Sequence, residues 1–442
     1  MASLALDAQP LGSDFKITPG TQQDDYPASV ACDAKGDFVV VWRGVSGTGQ
    51  VFGQRFGPTA LPLDVAFRIN TDTTLLSPNG ANVAMNASGK FVAVWEGADA
   101  EFSGVFGQLF DASGARIGGN FQVNTFTTGQ QAYPATAMDG SGNFVVVWQS
   151  YQGGASNYHI VGRRYDSSGS PLGGEISISA SGSTDQRLPS VASDPNGNFV
   201  VVWWDETAVP GGAKDVFGQR FSASGQKSGG EFRVNTYTTD SQFYPAVAMD
   251  SSGGFVVAWY STNLSFEGGG VRARRYSASG APLGSDASAI ITSTFQKGVG
   301  LAVDPFGNFV VVGSDMPTGN KDIRSTRIKA NGQSNATYRV NTYTTGDQIA
   351  PRVAMTNDRY VIVWNNQDDG VIWARLLNAG PQGDASGDGS VDVADVFYLI
   401  NYLFAGGPVP LGAADANFDG TIDITDVFYL INYLFAGGPA PV

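Results

Sequence analysis

Twelve residues near the C-terminal end are spaced as oxygen ligands. The first six are Asp384, Ser386, Asp388, Ser390, Asp392 and Asp395; the second six are Asp415, Asn417, Asp419, Thr421, Asp423 and Asp426. In each loop they fall at positions 1, 3, 5, 7, 9 and 12, with Gly389 or Gly420 at position 6, where the chain must turn sharply. Position 7 offers its backbone carbonyl and the others offer side-chain oxygens. This is the ligand order of an EF-hand calcium loop, with Asp in place of the usual Glu at the end. Two such loops in register, 31 residues apart, are not a chance acidic turn. From residue 384 onward there are eight Asp and no Lys, Arg or Glu. Without metal these carboxylates repel one another. Two Ca2+ ions are therefore expected, and their binding energy becomes folding energy.

Each loop runs into the same apolar sequence, Val396–Phe404 and Val427–Phe435, and both stretches are expected to be helices. Val396, Leu399, Ile400 and Leu403 share one face and suit a small core. Phe397 and Phe404 lie off that face, as do Phe428 and Phe435 in the second copy. A helix that is apolar nearly all round is buried nearly all round, and a module of about 55 residues cannot bury two of them alone. The four Phe are expected to pack either on the rest of the chain or on another protein. Residues 384–436 resemble a dockerin of the cellulosomal type, with its duplicated loop and helix. The resemblance implies a protein partner, a cohesin-like domain, chosen by loop positions 10 and 11 and the helix. Here those positions are Val393 and Ala394, then Ile424 and Thr425, where enzyme-linked members often carry Ser or Thr. The duplicated apolar helix suggests a second possible occupant, another copy of the same chain, in head-to-tail assembly.

The elements that precede this tail are organised by one recurring stretch. Phe38-Val39-Val40-Val41-Trp42 returns at Phe91–Trp95, Phe144–Trp148, Phe199–Trp203, Phe255–Trp259, Phe309–Gly313 and Tyr360–Trp364. The last residues of these runs are 53, 53, 55, 56, 54 and 51 positions apart, and a fixed period of this size marks a repeat fold. Each copy reads as four short strands, A to D, separated by Gly, Asp, Asn and Ser turns. A four-stranded sheet cannot bury both faces alone; stacked radially in a closed ring, it can. The fold class is therefore mainly β. A seven-bladed β-propeller spans residues 13–377, residues 378–383 form a linker, and a small α-helical calcium-binding domain occupies 384–442. A lone D-type strand, Asp14–Thr18, precedes the first copy, and the seventh copy ends after its C strand. The N-terminal strand should therefore close the last blade. The copies resemble a family of bacterial extracellular propeller repeats over residues 13–380, on segments such as Phe121-Gln122-Val123-Asn124-Thr125. That resemblance implies an extracellular or cell-surface location and no particular activity.

Composition narrows the partners. With a net charge of −14 the surface repels phosphate backbones, so no nucleic-acid partner is expected. No apolar run reaches the roughly 18 residues a spanning helix needs, so no membrane span is expected. Met1–Pro10 lacks the basic start and apolar centre of an export signal, and none is expected in this chain. One Cys and one His exclude disulfides within the chain and Cys-based or multi-His metal sites, and they argue against a triad hydrolase. Cys32 aligns with Met85, Met138, Met249 and Met355 and reads as a small core residue. His159 reads as a surface loop residue, and Trp204 and Trp373, which break the Trp pattern, as surface candidates. The longer B–C loops carry Asp99, Glu101, Asp205, Glu206, Asp215, Glu267, Asp315, Asp368 and Asp369, scattered as on a solvated acidic rim. No carboxylate pair stands apart from the repeat background.

The expected function is a non-enzymatic extracellular interaction disk with a calcium-dependent connector. The alternative is a dockerin-anchored carbohydrate-active enzyme or a glycan-binding, lectin-like propeller. Replacing Asp384 or Asp415 should unfold the tail and leave the propeller intact. If helical far-UV signal and calcium binding survive both changes, the loop assignment is wrong.

Overall fold

The recurring Phe-Val-Val-Val-Trp run has no polar face, which a strand tolerates only when both of its faces are covered. In the first copy, strand B (Phe38–Arg43) sends alternate side chains to opposite neighbours. Val39 and Val41 pack with Phe91, Ala93 and Trp95 of the second copy. Val40 and Trp42 pack with Val361 and Val363 of the last. Each copy is a four-stranded sheet wedged between two others, and seven of them make a seven-bladed propeller. The computed structural model describes residues 13–18, 28–44, 50–71, 80–99, 101–151, 158–180, 184–206, 213–262, 269–291, 298–304, 307–316, 319–330, 332, 334, 337–356, 359–378, 383–386, 391–407, 410, 414, 416–417, 422–439 and 441.

The Trp of strand B fills the space between blades. Trp95, Trp148, Trp203, Trp259 and Trp364 are fully buried, and truncating a core Trp to Ala costs about 3–5 kcal/mol. In three blades a Gln at the start of strand A caps the indole. Trp148 Nε1 donates to Gln131 Oε1 (3.0 Å), Trp259 to Gln242 (2.8 Å) and Trp364 to Gln348 (2.9 Å). In the sixth blade, where Gly313 stands in place of Trp, an added Cβ would lie 3.2 Å from Val271 Cγ2, so the neighbouring blade has moved into the space. The short A–B turns are held by their first Asp. Asp139 Oδ1 accepts from the N–H groups of Ser141 and Asn143, both at 2.9 Å.

The ring closes as the strand count anticipates. Phe15–Lys16 pairs with strand C of the last blade, Ile372–Asn378, and supplies that blade's outer strand. Asp14 completes the boundary with the sixth blade: its Oδ2 accepts from Thr342 N–H (2.6 Å) and Oγ1 (2.9 Å). Glu175 binds Thr125, and Asp286 binds Thr236, in the same way at ordinary blade boundaries. Arg375 Nη1 lies 3.6 Å from Asp14 Oδ1.

Strand A lines a central channel, and a bulge aims part of it. The A–B register slips between Ala132 and Ala135, Arg187 and Ser190, Phe243 and Ala246, and Ile349 and Arg352. Within the bulge Tyr133, Leu188, Tyr244 and Ala350 take left-handed φ values of 52°, 51°, 50° and 54°. A proline follows each. The extra residue bends the strand, and all four residues line a channel of 1040 Å³.

Cys32 is half-buried at the end of its strand, as Met85 and Met138 are at the same position, and packs against the core between the first and last blades. Two expectations change. His159 lies in strand C, Tyr158–Tyr165, half-buried, and its Nδ1 has no hydrogen-bond partner among the described residues. Trp204 and Trp373 are buried, not superficial; Trp204 packs edge-on against Phe243 and Trp373 stacks on Tyr343 at 4.9 Å.

Replacing Asp14 with Ala should lower the unfolding free energy by about 1–3 kcal/mol, since three donors at the blade boundary, Thr342 N–H, Thr342 Oγ1 and Tyr343 N–H, lose their acceptor. Chemical denaturation checks it: Asp14→Ala should match Asp286→Ala, and a loss no larger than that of exposed Glu101→Ala would mean the N-terminal strand is not a clasp.

Candidate functional site

In the tail, helices α1 (Val393–Ala405) and α2 (Ile424–Ala436) start earlier than their apolar runs suggest. The cause is a capping box built from ligand positions. Asp392 Oδ1 accepts from Ala394 N–H (2.7 Å), and Asp395 Oδ2 accepts from Asp392 N–H (2.8 Å). Asp423 and Asp426 repeat this at 2.7 and 2.9 Å. Together they satisfy donors that a helix start leaves free. The last carboxylate also braces the loop: Asp395 Oδ1 takes Ser386 N–H at 2.9 Å, and Asp426 Oδ1 takes Asn417 N–H at 3.2 Å.

Asp395 and Asp426 are fully buried, in a segment without Lys, Arg or His. Burying a carboxylate is costly. The donor set, all hard oxygens, fits a divalent cation such as calcium. Asp384 is also buried, and Ser386 Oγ donates to its Oδ1 at 3.4 Å. Asp392, Asn417 and Asp423 are placed on the same two loops. Asp388, Ser390, Asp415, Asp419 and Thr421 lie outside the described residues.

The tail's core consists of Ala385, Val396, Leu399, Ala414, Ala416, Val427 and Leu430, with Leu403 and Tyr398 packed against it. Ile400, expected in that core, is 37% exposed; it lies toward the edge of the helix contact. Phe397, Phe404, Phe428 and Phe435 are 65, 65, 63 and 67% exposed. They are therefore not packed on the propeller.

In the propeller, two blades place Asp opposite Asp on strands B and C. These pairs are Asp205 with Asp215 and Asp315 with Asp322. Directly opposed residues have Cβ atoms about 4.5–5.5 Å apart. In the sixth blade each acid has its own arginine, Arg324 at 3.7 Å and Arg339 at 3.5 Å. In the fourth blade Asp215 faces Arg233 at 3.7 Å and accepts from Asn235 Nδ2 at 2.6 Å. No cation among the described residues reaches Asp205, and its Oδ1 is buried without a partner. Burial raises the Asp205 pKa, and Asp215 and Asp185 push it further, against hydrogen bonds from Thr184 and Gln186.

The fourth blade departs from the repeat in a second way. Gln186 occupies the position that caps Trp elsewhere, yet Trp203 Nε1 has no partner among the described residues. Gln186 Nε2 donates instead to Asp205 Oδ2 (3.3 Å) and to Ala180 O (3.1 Å). Beside it Arg187 pairs with Asp185 at 2.6 Å and lies 4.2 Å over the Tyr158 ring. Tyr158 Oη donates to Gln130 Oε1 at 2.6 Å. Of the acids expected on B–C loops, Asp205, Glu206, Asp215 and Asp315 thus stand on strands. Sequence reading treated them as scattered; two Asp ten residues apart around a hairpin was the signal available.

The channel contributes Arg352, the one charged residue among its described lining. Burial pulls its pKa down to about 10, so it stays charged at neutral pH.

Comparison with known proteins bears on both halves. Residues 382–435 match the dockerin type I domain. Dockerin type I domains are calcium-binding modules that bind cohesin partners, and proteins carrying them are typically extracellular or on the cell surface. No curated protein matches the chain in sequence. Among solved structures, polysaccharide lyase Uly1 matches with a TM-score of 0.51 at 11% identity, over 83% of this chain and 93% of that one. An ulvan lyase of polysaccharide lyase family PL25 matches with a TM-score of 0.50 at 10% identity, over 84% and 95%. At that identity the likeness concerns the fold. No helix among the described residues is long and apolar enough to cross a membrane.

The expectation of a non-enzymatic protein is corrected on these findings. It rested on the lack of a distinct carboxylate pair, and the structure places Asp205 directly opposite Asp215. The two solved propellers named above are polysaccharide lyases.

Replacing Phe397 and Phe428 with Ser should change the stability of the free protein by less than about 1 kcal/mol, since exposed side chains contribute little. Thermal unfolding of the calcium-loaded protein checks it. A large loss would mean that the faces are covered within the chain.

Proposed function

We propose that the protein is a dockerin-anchored propeller that cleaves glycosidic bonds in a polysaccharide. The propeller, residues 13–377, is the catalytic body, residues 378–383 are a linker, and residues 384–442 form the anchor. In the anchor one Ca2+ would be held by Asp384, Ser386, Asp388, Ser390, Asp392 and Asp395, and a second by Asp415, Asn417, Asp419, Thr421, Asp423 and Asp426. Bound there, calcium would neutralise the loop carboxylates and contribute to the tail's folding. The chain's own part is to hold Asp395 and Asp426 against the loop backbone and to cap both helices. The exposed Phe397, Phe404, Phe428 and Phe435 then form the surface for a cohesin-like domain of an extracellular or cell-surface assembly. Another copy of this chain is the competing occupant, and sizing the calcium-loaded protein by light scattering tells the two apart.

The observation that carries the catalytic reading is the Asp205–Asp215 pair. Directly opposed on strands B and C, their Cβ atoms are about 4.5–5.5 Å apart, close enough for the two carboxyl groups to act on one bond as glycoside cleavage requires. Their surroundings differ, and a difference in environment is what assigns acid and base roles. Asp205 lacks a cation, is partly buried and faces two other carboxylates, so it holds a proton more readily and serves as the donor to the leaving oxygen. Asp215, with Asn235 and Arg233 against it, serves as the charged partner. Gln186 positions Asp205 by its hydrogen bond and is a positioning residue.

The test is product release from a panel of plant, algal and microbial polysaccharides. Asp205→Asn should lower turnover at least 100-fold, as loss of a general acid does, while Asp315→Asn in the sixth blade should not. Because the acid form is required, kcat should fall as pH rises through the elevated Asp205 pKa. An active Asp205→Asn variant, or an inactive wild type across the panel, would refute this reading.

A further inference from the structure

The channel holds a cation that the repeat does not explain. Arg352 occupies a strand-A position filled in the other blades by Ser29, Asn82, Ala135, Ser190, Ala246 and Gly300. All six are uncharged. An arginine here is therefore an addition to the blade pattern, not part of how blades pack.

The neighbouring blade makes room for it. A Cβ added at Gly298 would come within 2.9 Å of Arg352 Nη1, and one at Gly300 within 3.2 Å of Arg352 Cα. Gly298 also has a left-handed φ of 94°, where glycine is favoured. Two glycines thus form a cradle that any side chain would fill.

The guanidinium has donors to spare. Its Nη1 donates to the carbonyl of Pro351 at 2.9 Å, and among the described residues no carboxylate pairs with it. A guanidinium carries five N–H donors in a planar fork that matches carboxylate, sulfate and phosphate oxygens. Leaving such a group unpaired inside a protein is costly unless a ligand completes it. The remaining lining is neutral: Tyr133 and Tyr244 offer aromatic rings, while Asn82, Ser190 and Gln367 offer neutral polar groups. Rings beside scattered polar groups suit a sugar, whose faces are apolar and whose rim is hydroxylated. The strand bulges tip Tyr133 and Tyr244 into the channel near the end of the propeller where strand B of the fourth blade carries Asp205.

We propose that the channel binds an acidic sugar unit of the polysaccharide, with its carboxylate or sulfate on Arg352 and its ring against Tyr133 or Tyr244. This deepens the glycan-cleaving reading by naming the substrate class, and it rests on that reading for the word polysaccharide alone.

The experiment titrates the full-length, calcium-loaded protein by calorimetry with three oligosaccharides of equal length: oligogalacturonate for a carboxylate, a sulfated galactan fragment for a sulfate, and a cello-oligosaccharide as the neutral probe. At least one acidic probe should bind more tightly than the neutral one. Arg352→Gln should weaken that binding tenfold or more, Arg352→Lys should weaken it less, and neutral-probe binding should not change. Sodium sulfate should compete if the site takes sulfate. If Arg352→Gln does not fold, Tyr133→Ala replaces it and should weaken acidic binding threefold or more. Acidic probes that bind no better than the neutral one, or binding that ignores the Arg352 substitution, would overturn the inference. Arg352-dependent acidic binding without turnover of any polysaccharide upholds this inference and sinks the catalytic reading. Turnover of neutral glycans alone, unaffected by Arg352→Gln, does the reverse.

Discussion

Each blade has two apolar faces, and its own strands cover neither. Burial of both depends on the next blade being present, all the way round. The alternation along strand B makes this concrete, with Val39 and Val41 serving one neighbour while Val40 and Trp42 serve the other. At about 1.5–3 kcal/mol for each fully buried large apolar side chain, these interfaces dominate the ring's stability. Polar contacts such as Asp14 with Thr342 add less energy but fix which strands meet. The channel, the bulges and the rim are all positioned by that packing.

The tail follows the opposite logic. Its core is seven small or medium apolar residues, too few to hold a domain of that size without help. Its buried acids, Asp395 and Asp426, make the metal-free state worse instead of better. A bound calcium ion, as dockerin type I domains generally hold, would offset this charge. One chain thus joins a body held by packing between blades to an appendage whose small core leaves its buried carboxylates to be balanced by a cation.

The periodicity made most of the architecture legible. Seven copies, the missing last strand and the spare first one fixed the blade count and the closure, and the ligand spacing marked the loops. The functional features of the propeller were less visible, for a physical reason. Asp205 and Asp215 are ten positions apart in sequence and become neighbours only through hairpin register. Gln186 looks like a capping Gln until the structure shows it turned toward Asp205. Arg352 could have been noticed, since its six counterparts carry no charge, but only register shows that this position faces the channel. The exposure of Ile400 shows the limit of helical periodicity, because a neighbouring helix covers a narrower stripe than the apolar residues span.

The clasp also sets an order of events. Ile372 N–H donates to Thr18 Oγ1 across 354 residues of chain, so the N-terminal strand has no partner until nearly the whole ring exists. Contacts this distant in sequence form slowly and late. During synthesis the first blade must wait with one apolar face and one strand edge open while six others assemble. A nascent chain in that condition is a template for pairing with its neighbours. Translation speed and crowding should therefore matter more to the yield of this protein than its final stability does.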